Sequence, residues 1–121
     1  MSVPILEHSG TLIVSLQSEP TDAEFTQLER ELTERVGQSR ARGVLIDVSA
    51  LSVLDSFGTR TLRELAHAVR LRGATAAIVG IQPDVAFAMV QLGLSLEGTL
   101  TALNLEDGLA LLHEAAVAAW N

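Results

Sequence analysis

The chain contains no cysteine. That absence removes disulfides, thiolate nucleophiles and zinc–thiolate sites together, and it leaves the redox compartment open. Lysine is missing too: the eight cations are all arginine, set against 15 Asp and Glu for a formal net charge of −7. A phosphate cradle of the G-x-x-x-x-G-K-[ST] type is thereby excluded. The acidic balance also argues against nonspecific binding to nucleic acid or an anionic membrane, because no basic patch can neutralise several phosphates. Aromatics amount to 3% against 48% hydrophobic residues. The core must therefore be built from Val, Ile, Leu and Ala, the usual filling of a helix-covered sheet. No apolar run approaches the ~20 residues that span a bilayer, and the N-terminal MSVPILEHSG lacks the basic stretch and apolar core of a secretion signal. These features lead to the expectation of a cytoplasmic protein, with no nucleic acid and no membrane among its partners. The 121 residues fit one domain, 1–121, which buries roughly 65% of the surface exposed by the unfolded chain.

What is present alternates strands and helices. Residues 3 to 6 (VPIL) and 11 to 16 (TLIVSL) read as two short strands joined through Ser9-Gly10, a hairpin signal. Thr21 and Glu24 make a T-x-x-E capping box, after which Phe25, Leu28, Leu32 and Val36 follow at helical spacing to about Ser39. Residues 43 to 48 (GVLIDV) form a nearly continuous apolar run, the pattern of a strand covered on both faces. A helix then starts at about Asp55, with Phe57, Thr61, Leu62, Leu65, Ala66 and Val69 on its apolar stripe and Gly73 as its stop. Residues 74 to 80 supply the next buried strand. Gln82-Pro83 opens a further helix with Val85, Ala86, Met89 and Val90 on its stripe, closed by Gly93. A weak strand near Thr99 to Ala102 precedes a last helix introduced by Asn104 and striped by Leu105, Leu109, Leu112 and Ala116. The expected fold is α/β: a mixed sheet of four to five strands with about four helices and right-handed crossovers between its parallel strands.

Catalytic and metal chemistry find little support. His8, His67 and His113 are isolated along the chain and lack H-x-H or H-x-x-x-H spacing, so no metal site is expected. A Ser56–His67–Asp47 triad fails on distance, since eleven helical residues at ~1.5 Å rise separate Ser56 from His67 by ~16 Å. No G-x-S-x-G elbow occurs. No cofactor is expected.

Attention settles on Ser56, which follows Asp55 at a helix N-terminus, where free N–H donors tolerate a negative group. On residue chemistry alone it is either a helix-start residue that holds the first turn or a modification site. Phosphorylation would add about −1.5 to −2 charges beside Asp55 and repel an acidic or tightly packed partner. Thr59 is a second hydroxyl one turn on, open to a surface, core or capping role. Arg60 can approach a phosphate on Ser56 or simply solvate the helix. Gly58 is odd, because glycine in a first turn costs about 1 kcal/mol relative to Ala.

The chain resembles the STAS domains of bacterial anti-sigma-factor antagonists, most closely the RsbS-type scaffold of the stressosome. The likeness is carried by VPIL, LIVSLQ, GVLIDVSALSVLDSF, VGIQPDVA, LGLSLEG and TALNLEDGL, and it spans nearly the whole chain. It implies a single STAS domain and a non-enzymatic regulator phosphorylated on the serine of its D-S-F element, here Ser56. It implies as partners an RsbT-type serine kinase, an RsbR-type co-scaffold and a PP2C-type phosphatase, within a homo-oligomer or large hetero-oligomer. The kinase would be held at Asp55, Ser56, Thr59 and Arg60, and released on phosphorylation. RsbR-type relatives carry a phosphorylated threonine in the region of residues 83 to 92; this chain has no Ser or Thr there, so one phosphosite is expected across the two regions. The alternatives are a sporulation-type antagonist that binds an anti-sigma kinase directly, or a ligand-binding or transporter-regulating STAS module.

Overall fold

The computed structural model describes residues 3–120, Trp120 by its backbone alone, so the first two residues and the last residue of the expected domain lie outside the description. The chain opens with a hairpin of β1 (Ile5–His8) and β2 (Thr11–Ser15), paired antiparallel with His8 opposite Thr11. The two-residue turn sets this register: Ser9 and Gly10 both take positive φ, 49° and 81°, the backbone twist that suits a tight hairpin. Pairing therefore runs through His8 to the turn, and β1 lies two residues later than the VPIL run suggests. Pro4, without an N–H, stays outside the ladder.

Helix α1 (Asp22–Ser39) follows, then β3 (Gly43–Asp47), α2 (Ser56–Leu71), β4 (Thr75–Val79), α3 (Pro83–Gln91), β5 (Leu100–Ala102) and α4 (Leu105–Trp120). The five strands lie in the order β1-β2-β3-β4-β5, with every pair after the first parallel. Alternation along the strands divides the core. Leu12, Val14, Val44, Ile46, Ala76 and Ile78 point to one face, where Phe25, Leu32, Leu62, Leu65, Val85 and Met89 of α1, α2 and α3 pack over them. Leu45, Ala77 and Val79 point to the other, where Leu112 of α4 meets them. Three helices thus cover one face and a single helix the other.

Helix α4 lies very close to its face. A Cβ at Gly108 would stand 2.5 Å from Val79 Cγ1 and 2.9 Å from Leu45 Cδ1, so the glycine is what lets this helix sit down on the strands. Its buried line accordingly centres on Gly108 and Leu112, and Leu105, expected on the stripe, is 43% exposed. Helix α3 shows a similar narrowing: Val85 and Met89 are buried, whereas Ala86 and Val90 face outward.

Candidate functional site

Ser56 stands at the C-terminal end of β3, beyond a loop that is pinned at several points. Asp47, the last residue of β3, accepts from the Ser49 amide at 2.9 Å, and the Leu51 amide donates to the Val48 carbonyl at 2.9 Å. Gln82 Nε2 donates to the Ser49 carbonyl at 2.9 Å, tying the loop to the start of α3. The β4–α3 turn presses in as well: Gly80 has φ +82°, and a Cβ there would come within 2.8 Å of Ser49 Cβ. Leu51 and Leu54 anchor the loop in the core.

Asp55 then caps α2. Its backbone is extended, and its Oδ1 accepts the Gly58 amide at 2.8 Å while its carbonyl accepts the Thr59 amide at 2.9 Å. Ser56 is the first helical residue and is exposed. The cap explains Gly58. That residue is buried, and a Cβ on it would stand 2.9 Å from Leu54 Cδ1 and 3.4 Å from both Asp55 Oδ1 and Glu19 Oε1. Glycine here admits two carboxylates and a core leucine to the first turn at once, a close approach that offsets its low helix propensity.

Glu19, in the loop before α1, brings the second of those carboxylates. Desolvation at this spot, then the charge of Asp55 and a hydrogen bond donated to Asp55 by the protonated form, push its carboxyl above the ordinary value of 4.5. Two apolar residues near the serine in the chain are exposed: Val53 is 59% exposed, and Phe57 is 38% exposed with its ring edge-on to buried Phe25 at 6.3 Å. Arg60 lies one turn further along α2, its guanidinium 5.9 Å from the centre of the Phe57 ring. Among the described residues no three His, Asp or Glu side chains are grouped to hold a metal ion, and no helix is long and apolar enough to cross a membrane.

The STAS domain pattern matches residues 2–108. The chain belongs to the STAS family. Its backbone is similar to a serine-to-glutamate variant of RsbS from Moorella thermoacetica, with 38% identity, a TM-score of 0.78, and coverage of 94% of this chain and 97% of that one. It is likewise similar to a chain of the stressosome, described as a signal integration and transduction hub, with 35% identity, a TM-score of 0.74, and coverage of 93% and 98%. A curated relative, the RsbT co-antagonist protein RsbRA of Bacillus subtilis, is 31% identical over 83 residues, which are 69% of this chain but 30% of that protein. The chain thus spans about a third of the length of its co-antagonist relative and nearly all of its RsbS relative.

Within this STAS domain the four residues expected to bind a partner do not form one surface. Asp55, Ser56 and Arg60 are exposed, but Thr59 is 1% exposed and its hydroxyl has no hydrogen-bond partner among the described residues. That corrects the placement of Thr59: α2 is rotated so that Gly58 and Thr59 face the core and Phe57 is carried to its rim. The exposed residues from Ser52 to Arg60, from the loop into the first turns of α2, are Ser52, Val53, Asp55, Ser56, Phe57 and Arg60. Val53 and Phe57 escape sequence reading because an apolar residue beside a core leucine, or on a helical stripe, looks like core. Arg60 lies over the Phe57 ring, one turn of α2 beyond the serine.

Proposed function

We propose that this STAS domain is a non-enzymatic scaffold and antagonist. It sequesters an RsbT-type serine kinase in a stressosome-like, cytoplasmic assembly with RsbR-type co-scaffolds, and releases it when Ser56 is phosphorylated. A PP2C-type phosphatase resets the serine, and the whole of residues 1–121 acts as one domain. The observation that carries this reading is the exposed Ser56 at the first position of α2, after a loop pinned by hydrogen bonds and next to Asp55, which Glu19 approaches. The likeness to RsbS over nearly the full chain supports it. So does the serine-to-glutamate change in that relative, a substitution that imitates the charge of a phosphoserine.

The release mechanism follows from local electrostatics. The unmodified surface presents a small hydroxyl near two exposed apolar residues in the chain, Val53 and Phe57, suited to close contact with a partner. A phosphoryl group adds about −1.5 to −2 charges at a point where two carboxylates already crowd the first turn. The α2 N-terminus and Arg60 stabilise that group within the domain. An acidic or close-packed partner surface is then repelled.

Incubation with an RsbT-type kinase and ATP should add one phosphate per chain, mapped to Ser56 by mass spectrometry. Undiminished incorporation in Ser56→Ala would remove the site assignment. Ser56→Asp should lose kinase binding in a pull-down, and full retention would contradict release by charge. Mixing with an RsbR-type co-scaffold should give a megadalton peak on size exclusion; a small stoichiometric complex with an anti-sigma kinase would point instead to direct antagonism.

A further inference from the structure

At the opposite end of the sheet from Ser56, the one-helix face leaves a cavity. Helix α4 covers β3, β4 and β5, so its coverage stops short of the β1–β2 hairpin. The gap between the hairpin turn and the outer half of α4 is a cavity of about 290 Å³. Its wall is apolar, formed by Leu112 with Leu109 and Ala116. Its floor stays open because β3 begins with glycine: a Cβ at Gly43 would crowd Leu112 Cδ1 at 3.2 Å and Thr11 Oγ1 at 3.3 Å.

The polar part of the lining comes from three separate elements. His8 arrives at the end of β1, Arg42 just before β3, and His113 from α4. Two of the three histidines in the chain, 105 positions apart, meet at this one opening. The chain carries 15 Asp and Glu, yet none lines the cavity. Arg42 brings its fixed charge whatever else it contacts. The imidazoles offer N–H donors, and Thr11 adds a hydroxyl. An apolar wall with donors and a cation, and no Asp or Glu side chain in the lining among the described residues, is a defined chemical preference.

We infer that this cavity binds a small organic anion with an apolar body, a monocarboxylate about the size of an aromatic ring. Its volume lies at the lower limit of ligand pockets, which excludes nucleotides and other large ligands. The carboxylate lies between His8 and His113 with Arg42 behind them, and the ring lies on Leu112. The four steps of β3 from Gly43 to Asp47 alone put ~13 Å between this cavity and the loop that carries Ser56. The inference therefore stands or falls without the phosphorylation reading.

Benzoate is a suitable probe, titrated into the ¹⁵N-labelled full chain and followed by amide chemical shifts, with benzamide and inorganic phosphate as controls. Benzoate should give saturable shifts centred on Gly10, Thr11, Gly43 and His113, with benzamide and phosphate each at least about tenfold weaker. The double variant His8→Gln/His113→Gln changes only exposed side chains and should weaken benzoate about tenfold while leaving the rest of the spectrum in place. Absence of saturable shifts at these amides would overturn the site. Equal binding of benzamide would overturn its preference for an anion, and equal binding of phosphate the role of the apolar wall. Unchanged benzoate affinity in the double variant would overturn the role of the histidines.

Discussion

Asp55 does two things at once, and replacing it by Asn and by Ala separates them. Its Oδ1 holds the Gly58 amide at 2.8 Å, and its charge stands beside Glu19 at the start of α2. Asn caps a helix about as well as Asp, so Asp55→Asn keeps the bond and loses the charge. Asp55→Ala loses both. Loss of the cap costs about 1 kcal/mol, and loss of a favourable charge at the helix N-terminus costs about 0.3–1 kcal/mol. The second cost is offset in both variants by relief of the repulsion from Glu19. Asp55→Ala should therefore fall about 1 kcal/mol below Asp55→Asn, with Asn close to the parent. For a domain of this size the gap corresponds to about 4 °C in melting temperature, readable by calorimetry or circular dichroism at pH 7. If Asn melts as low as Ala, the cap bond is not what holds this turn. If Ala melts with the parent, the first turn is held by its packing alone. In kinase pull-downs the Asn variant should present Ser56 on an intact helix start, so any change in binding reports charge rather than shape.

Three further outcomes follow from the packing. Thr59→Val replaces a buried, unpartnered hydroxyl by a methyl of the same shape and should stabilise the domain by about 1 kcal/mol in urea unfolding, with kinase binding unchanged; a loss of stability would mean that the hydroxyl is satisfied. Gly108→Ala should gain about 1 kcal/mol of helix propensity and lose more to the clash with Val79 and Leu45, a net loss of about 1–2 kcal/mol; a rise in melting temperature would refute the close approach of α4. Glu19→Gln should stabilise the domain at pH 7 and bring no benefit near pH 3. Because the folded carboxyl titrates above 4.5, the native state binds the proton more tightly than the unfolded chain, and stability falls as pH rises through that interval. A gain independent of pH would refute this account.

Much of the site was legible in the sequence because its signals are local. The T-x-x-E box of α1 forms in full, with the Thr21 amide donating to Glu24 at 2.9 Å and the Glu24 amide to Thr21 Oγ1 at 3.2 Å. The start of α2 at Asp55 was equally readable from a capping residue ahead of a helical period. What was not readable depends on distant parts of the chain. Whether Phe57 or Thr59 turns inward is a rotation of α2 fixed by the sheet and α1, and Gly58, which lies between them, has no side chain to declare a side. Gly108 reads as a penalty within a helix until the strand beneath it is known. His8 and His113 carry no mutual signal along 105 positions and come to one cavity only because the fold sets the end of the first strand across from the last helix.

The two ends of the sheet have a consequence for how copies of this domain can associate. β5 exposes three residues of edge and β1 four, with Pro4 just ahead of it. Neither edge is long enough to template a foreign strand, so open-ended growth by backbone pairing is disfavoured at both margins. Association is left to side-chain surfaces, whose geometry can close on itself. In the assembly proposed above, where copies would be packed at high local concentration, this biases association toward finite particles and away from fibres.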